Sequence, residues 1–144
     1  MNLAEQQAAL IAALTCTGDV PPGFDPVRVR AAASALAFKR ARAVAQAWPG
    51  VRVMLGDDFR NRFAAYASTA SLPQNGGPLA DGRAFVRYLA AWMPLSDDIT
   101  LQALSFDQSR SWLRMRFAWL RDAGCVMVAI GDHRVRLRLP RLRR

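Results

Sequence analysis

The residues best placed to do chemistry form a row of arginines near the end of the chain. Arg114 and Arg116 stand two positions apart, and Arg134, Arg136 and Arg138 repeat that spacing with apolar residues between them. A period of two is the spacing of one face of a β-strand, so each set presents its guanidinium groups together. Planar guanidinium forks suit carboxylates and phosphates better than a lysine point charge does. The row therefore fits an acidic peptide or a phosphate backbone. A solvated, charged face that keeps a sheet from aggregating accounts for the same pattern. The tail PRLRR (140–144) extends the row.

Other chemistry is sparse. His133 is the single histidine and stands beside a hairpin turn among arginines, as a surface residue would. The pairs Asp57-Asp58 and Asp97-Asp98 fall at helix starts, where the helix dipole favours carboxylates, and adjacent helical residues do not face one another. Cys16 and Cys125 read as small core residues in apolar surroundings. The chain has no phosphate-cradling glycine loop, no triad order and no metal-ligand spacing, so no catalytic residue, metal site or cofactor is expected on it.

The charge is distributed unevenly. Residues 1–109 hold 10 Lys/Arg and 9 Asp/Glu, whereas residues 110–144 hold 10 Arg and 2 Asp, so nearly all of the formal net charge of +9 lies in the last 35 of 144 residues. A hydrophobic content of 52% excludes a disordered polycation. Apolar runs are too short for a membrane span, and no basic segment precedes the first apolar stretch as a signal peptide requires. The compartment expected is the cytoplasm, with no membrane partner.

The elements that must hold these residues are helices first and strands last. Leu3, Leu10, Ile11 and Leu14 recur at helical spacing until Gly18 and Pro21-Pro22-Gly23. Asp25 caps and Pro26 opens a long helix to about Trp48, with Val29, Ala33, Leu36, Val44 and Ala47 on its apolar stripe. Pro49-Gly50 ends it, and 51–55 reads as an apolar turn. Asp57 or Asp58 caps a helix with Phe59, Phe63 and Tyr66. SLPQNGGPLAD (71–81) reads as a loop, and Asp81 as the start of a helix through Phe85, Leu89 and Trp92. Ser96 caps a last helix with Ile99, Leu101 and Leu104.

From about residue 110 the period becomes two. Leu113, Met115, Phe117 and Trp119 alternate with Trp112, Arg114, Arg116 and Ala118; a turn at 121–124 follows, then the apolar run 125–130, a Gly131-Asp132 hairpin turn, and Val135, Leu137 and Leu139 alternating with the arginines. The expected fold is α+β: a helical bundle, then a three-stranded antiparallel meander packed on a helix. The division expected is 1–95, helical and partner-docking, and 96–144, a small α+β module. The arginines are expected on the sheet face turned away from the helices.

Arg40 breaks the pattern of its own helix. It lies within about 20° of Val29, inside the apolar stripe, while Lys39 and Arg42 lie on the polar side. An arginine in a buried stripe requires a carboxylate or an interface, and Asp57 or Asp58 is the internal partner expected.

The segments FKRARAVAQAWPGVRVMLGDDFRNRFAAYAS (38–68) and DGRAFVRYLA (81–90) resemble the helical region of the small partner proteins of multinuclear non-haem iron-dependent oxidases, and PPGFDP (21–26) is similar to the start of a short actinobacterial-type branch. The matching positions are Phe38, Lys39, Arg40, Trp48, Pro49, Val51, Leu55, Gly56, Asp58, Phe59, Gly82, Phe85, Tyr88 and Leu89. The resemblance implies a non-catalytic subunit that forms a heterodimer with an oxidase carrying the irons. Its helices would dock on the enzyme, with Lys39, Arg40 and Arg42 at that interface. Its terminal sheet would hold a precursor peptide's leader by strand addition, with Arg114, Arg116, Arg134, Arg136 and Arg138 as the peptide-binding residues. The rival reading is a nucleic-acid-binding regulator, because helices followed by a hairpin and an Arg-rich tail also describe a winged-helix-like module.

Overall fold

A computed structural model of the chain describes residues 2–15, 18–109, 115–130 and 133–138. The elements are α1 (Leu3–Thr15), α2 (Pro26–Ala47), α3 (Pro49–Leu55), a single 3₁₀ turn (Gly56–Asp58), α4 (Phe59–Thr69), α5 (Gly77–Ala90), α6 (Asp97–Ser109), β1 (Arg116–Leu120), β2 (Cys125–Ile130) and β3 (His133–Arg138). They form two compact units, Met1–Phe85 and Val86–Arg144. The α+β class is as the periodicity predicts. No helix among the described residues is long and apolar enough to cross a membrane.

In the first unit the punctuation acts locally. Asn2 Oδ1 accepts from the Glu5 amide while Glu5 takes the Asn2 amide, a reciprocal cap on α1. Asp25 accepts from the Val27 amide and Pro26 occupies the first position of α2. The helices bury one aromatic cluster, in which Phe63 lies 5.0 Å from Phe85 and 5.4 Å from Tyr66 between ring centroids, both edge-on. Trp48, Val44 and Val51 are completely buried in the same unit.

Two boundaries differ from the sequence expectation. Residues 51–55 belong to a helix rather than a turn, because Pro49 is a good first-turn residue for α3 even though it ends α2. Helix α5 starts at Gly77, four residues before Asp81, with Pro78 in its first turn. Asp81 is thus an interior helical residue, and it is buried.

In the second unit α6 packs on β1 and β2. The sheet is an antiparallel meander in the order β1-β2-β3. Gly124, at φ +58°, closes the β1–β2 turn with its amide donating to the Arg121 carbonyl. The Asp97 carboxylate accepts from the amides of Asp122 and Ala123 in that turn, so it ties the start of α6 to the sheet. The hairpin turn expected at Gly131-Asp132 lies outside the described residues, as do Cys16 and the PRLRR tail.

Candidate functional site

The register of the sheet decides which side chains share a face. Arg116, Ala129 and Arg134 are opposite one another across the three strands, as are Ala118, Met127 and Arg136, and Leu120, Cys125 and Arg138. Leu104 of α6 packs on Ala118, Leu120, Cys125, Met127 and Ala129, with Leu101 beside them. The arginines therefore lie on the face that α6 covers, which corrects the expectation that they point away from the helices. The physical reason is side-chain size. A helix can seat closely over Ala118, Ala129 and Cys125, whereas Phe117 and Trp119 would hold it off. Both faces of β2 are apolar, so that strand imposes no preference.

The opposite face carries rows Phe117–Val128–Val135 and Trp119–Val126–Leu137. Here Phe117 is 63% exposed, Trp119 52%, Val135 54% and Leu137 51%, and Ile130 joins them. Large apolar residues left in water on one sheet face mark a contact surface.

The five expected peptide-binding arginines are not equivalent. Arg116 pairs with Asp107 of α6 at 3.6 Å, and its buried Nε finds no hydrogen-bond partner among the described residues. That commitment to α6 removes Arg116 from a solvent-facing row. Arg134, Arg136 and Arg138 are exposed with the whole of β3, because the helix covers β1 and β2 and stops short of the third strand. Arg114 lies outside the described residues.

In the first unit, Lys39 and Arg42 are exposed on α2, but Arg40 is buried. Its Nε donates to Asp81 Oδ2 at 3.0 Å and its NH2 to Oδ1 at 2.9 Å, a two-pronged pair. Both terminal nitrogens also reach the Ala70 carbonyl at 3.4 Å. The Phe63 and Tyr66 rings each lie 5.8 Å from its guanidinium carbon. The internal partner is Asp81, not Asp57 or Asp58; Asp58 instead pairs with Arg62 at 2.6 Å. A buried guanidinium committed in this way is a structural centre, so Arg40 is withdrawn from the surface residues expected to meet an enzyme. The sequence held a signal for Asp81. Asp81, Phe85 and Leu89 recur at four-residue spacing, which places the carboxylate on the apolar stripe of α5.

Tyr66 completes this centre, donating its hydroxyl to Asp81 Oδ1 at 2.9 Å. Burial, and after it the Asp81 charge, pushes the phenol above its ordinary value. Below pH 10 the phenol is protonated in both the folded and the unfolded chain. Above it only the unfolded chain releases the proton, so stability falls as pH rises, by up to about 1.4 kcal/mol per pH unit from this group. Urea melts of the wild type and Tyr66→Phe between pH 8 and 11 should differ in that slope, with the variant flatter; parallel profiles would remove Tyr66 from the account.

A groove of about 430 Å³ lies in the first unit, lined by Leu14, Ala37, Phe38, Arg60, Phe63 and Ala67 among others. Its wall is largely apolar, and the charge of Arg40 beside it is spent on Asp81. Among the described residues no three His, Cys, Asp or Glu side chains gather as a metal site would need.

Comparison with known proteins gives three findings. A family model described as the SCO6045-like, C-terminal domain matches residues 4–91. A Streptomyces avermitilis protein named UPF0276 protein is 41% identical over 123 residues, which are 85% of this chain and 23% of that protein. The chain thus spans under a quarter of the length of that curated relative. No solved structure matches.

Proposed function

The chain belongs to the SCO6045-like C-terminal domain family, and from that premise we propose that it is a non-catalytic accessory module that recruits a ribosomally made precursor peptide to a multinuclear non-haem iron-dependent oxidase. The irons and the chemistry belong to the oxidase; this chain supplies the surface that holds the peptide's leader. The observation that carries the reading is β3, an outer strand whose six residues are all exposed and which bears Arg134, Arg136 and Arg138 on one face. An outer strand offers unpaired backbone groups for strand addition, and the arginines supply attraction for an acidic leader. The resemblance of residues 38–68 and 81–90 to oxidase partner proteins is what supports the oxidase as the enzyme. Consistent with work alongside a larger body, the matched segment is 23% of the Streptomyces relative. Lys39 and Arg42, exposed on α2, remain the residues proposed for the enzyme-facing side.

A fluorescence titration with a labelled acidic peptide tests the recruiting step. Exposed charge pairs contribute about 0–1 kcal/mol each. Replacing Arg134, Arg136 and Arg138 together by Gln should then weaken binding by roughly 5–30-fold at low salt, equivalent to about 1–2 kcal/mol. The difference should shrink near molar salt, where the screening length falls to about 3 Å. Unchanged affinity at low salt would make the arginines a solvated face. Tighter binding of duplex DNA than of the peptide, lost with the same substitutions, would favour the nucleic-acid reading.

A further inference from the structure

Resting on the peptide-recruiting reading above, we infer that β3 selects for sequence pattern: it takes an extended segment in which acidic and bulky apolar residues alternate. The two faces of this edge are chemically different. On the face shared with α6 stand Arg134, Arg136 and Arg138; on the other stand Val135 and Leu137, each about half exposed and continuous with Phe117 and Trp119 through the rows of β1 and β2. A strand added to β3 puts its side chains about 4.5–5.5 Å from those directly opposite, on the same face. Carboxylates at every second position then meet the arginines, and the residues between them extend the rows that begin at Phe117 and Trp119. The apolar half of the match is what an acidic segment of arbitrary order lacks.

The choice of β3 over β1, the other outer strand, follows from what each edge offers. Ala118 and Leu120 of β1 are buried, so among the described residues β1 bears Arg116 alone on that face, where β3 bears three exposed arginines in a row. A phosphate backbone would satisfy the arginines of β3 but would leave Val135 and Leu137 in water, which is why a two-faced peptide is the occupant favoured.

The test uses the full chain and two synthetic peptides of identical composition, one with Glu alternating with Leu and Val, the other with the same residues grouped in an acidic block and an apolar block. The alternating peptide should bind at least about tenfold more tightly at low salt. Leu137→Gln, at an exposed position where thermal melts should show an intact fold, should erase most of that preference, bringing the two affinities to within about threefold. Equal affinity for the two peptides would overturn the pattern selection and leave recruitment by charge standing. Failure of both peptides to bind would overturn the recruiting reading as well.

Discussion

Arg40→Ala should cost the protein about 3–5 kcal/mol, the range found when one partner of a buried ion pair is removed. The loss exceeds that of a surface pair because Asp81, only 2% exposed, would keep the Tyr66 hydroxyl as its side-chain partner among the described residues but lose its buried guanidinium. The Ala70 carbonyl would lose its guanidinium contacts as well. Asp81→Ala should also be severe, because the buried Arg40 guanidinium beside the Phe63 and Tyr66 rings would lose its carboxylate. Against a total stability of about 5–15 kcal/mol for an ordinary domain, either change would leave part of the protein unfolded near body temperature. Arg42→Ala, one turn face away and exposed, should stay within about 0.5 kcal/mol. Removing both charges together, as Arg40→Met with Asp81→Leu, should recover much of the loss, since a buried pair is often replaceable by apolar residues of similar size. Urea denaturation of the four variants decides the matter. A cost below about 1 kcal/mol for Arg40→Ala would mean the pair contributes no more than a surface contact.

What the sequence revealed and what it hid divide along physical lines. Helices announced by caps and prolines were legible: Asp25-Pro26 opens α2 where expected. The meander was legible too, because period-two alternation and the Gly124 turn are local signals. Which face of that meander meets a helix was not. Arg116 and Ala118 alternate against Phe117 and Trp119, and hydrophobicity alone assigns the aromatics inward. The observed answer depends on how closely α6 can approach, a property of small residues that no single strand displays. Arg40 shows the same limit. Its misfit within an apolar stripe flagged a buried pair, but the partner 41 residues away is set by helix packing, not by spacing. The family-like motif positions are also explained by the fold: Trp48, Val51, Phe59, Phe85 and Leu89 are all core residues. Such positions identify a fold more securely than they identify a binding surface.

Gly82 is the motif position whose replacement tests that conclusion most directly. A Cβ at Gly82 would overlap Cδ1 and Nε1 of the Trp48 indole and lie 2.9 Å from its Cγ. The indole has little freedom to yield. It is completely buried, and its Nε1 donates to the Leu79 carbonyl at 3.1 Å. Two effects oppose each other in Gly82→Ala. Alanine is favoured over glycine inside a helix by about 1 kcal/mol, while forcing an extra carbon into a filled site costs about 1–3 kcal/mol. Overlap with a ring this constrained belongs at the upper end of that range, so the net change should be a loss of about 1–2 kcal/mol. Gly82→Val, with two more carbons and a stiff χ1, should lose at least about 3 kcal/mol. Shrinking the ring should reverse the sign. In a Trp48→Leu background, itself destabilised by a few kcal/mol, Gly82→Ala should become neutral or stabilising as the helix preference of alanine is released. The double-mutant cycle from chemical denaturation should therefore give a coupling of about 1–3 kcal/mol between positions 48 and 82. Additive effects would show that the glycine is held there for some reason other than the tryptophan.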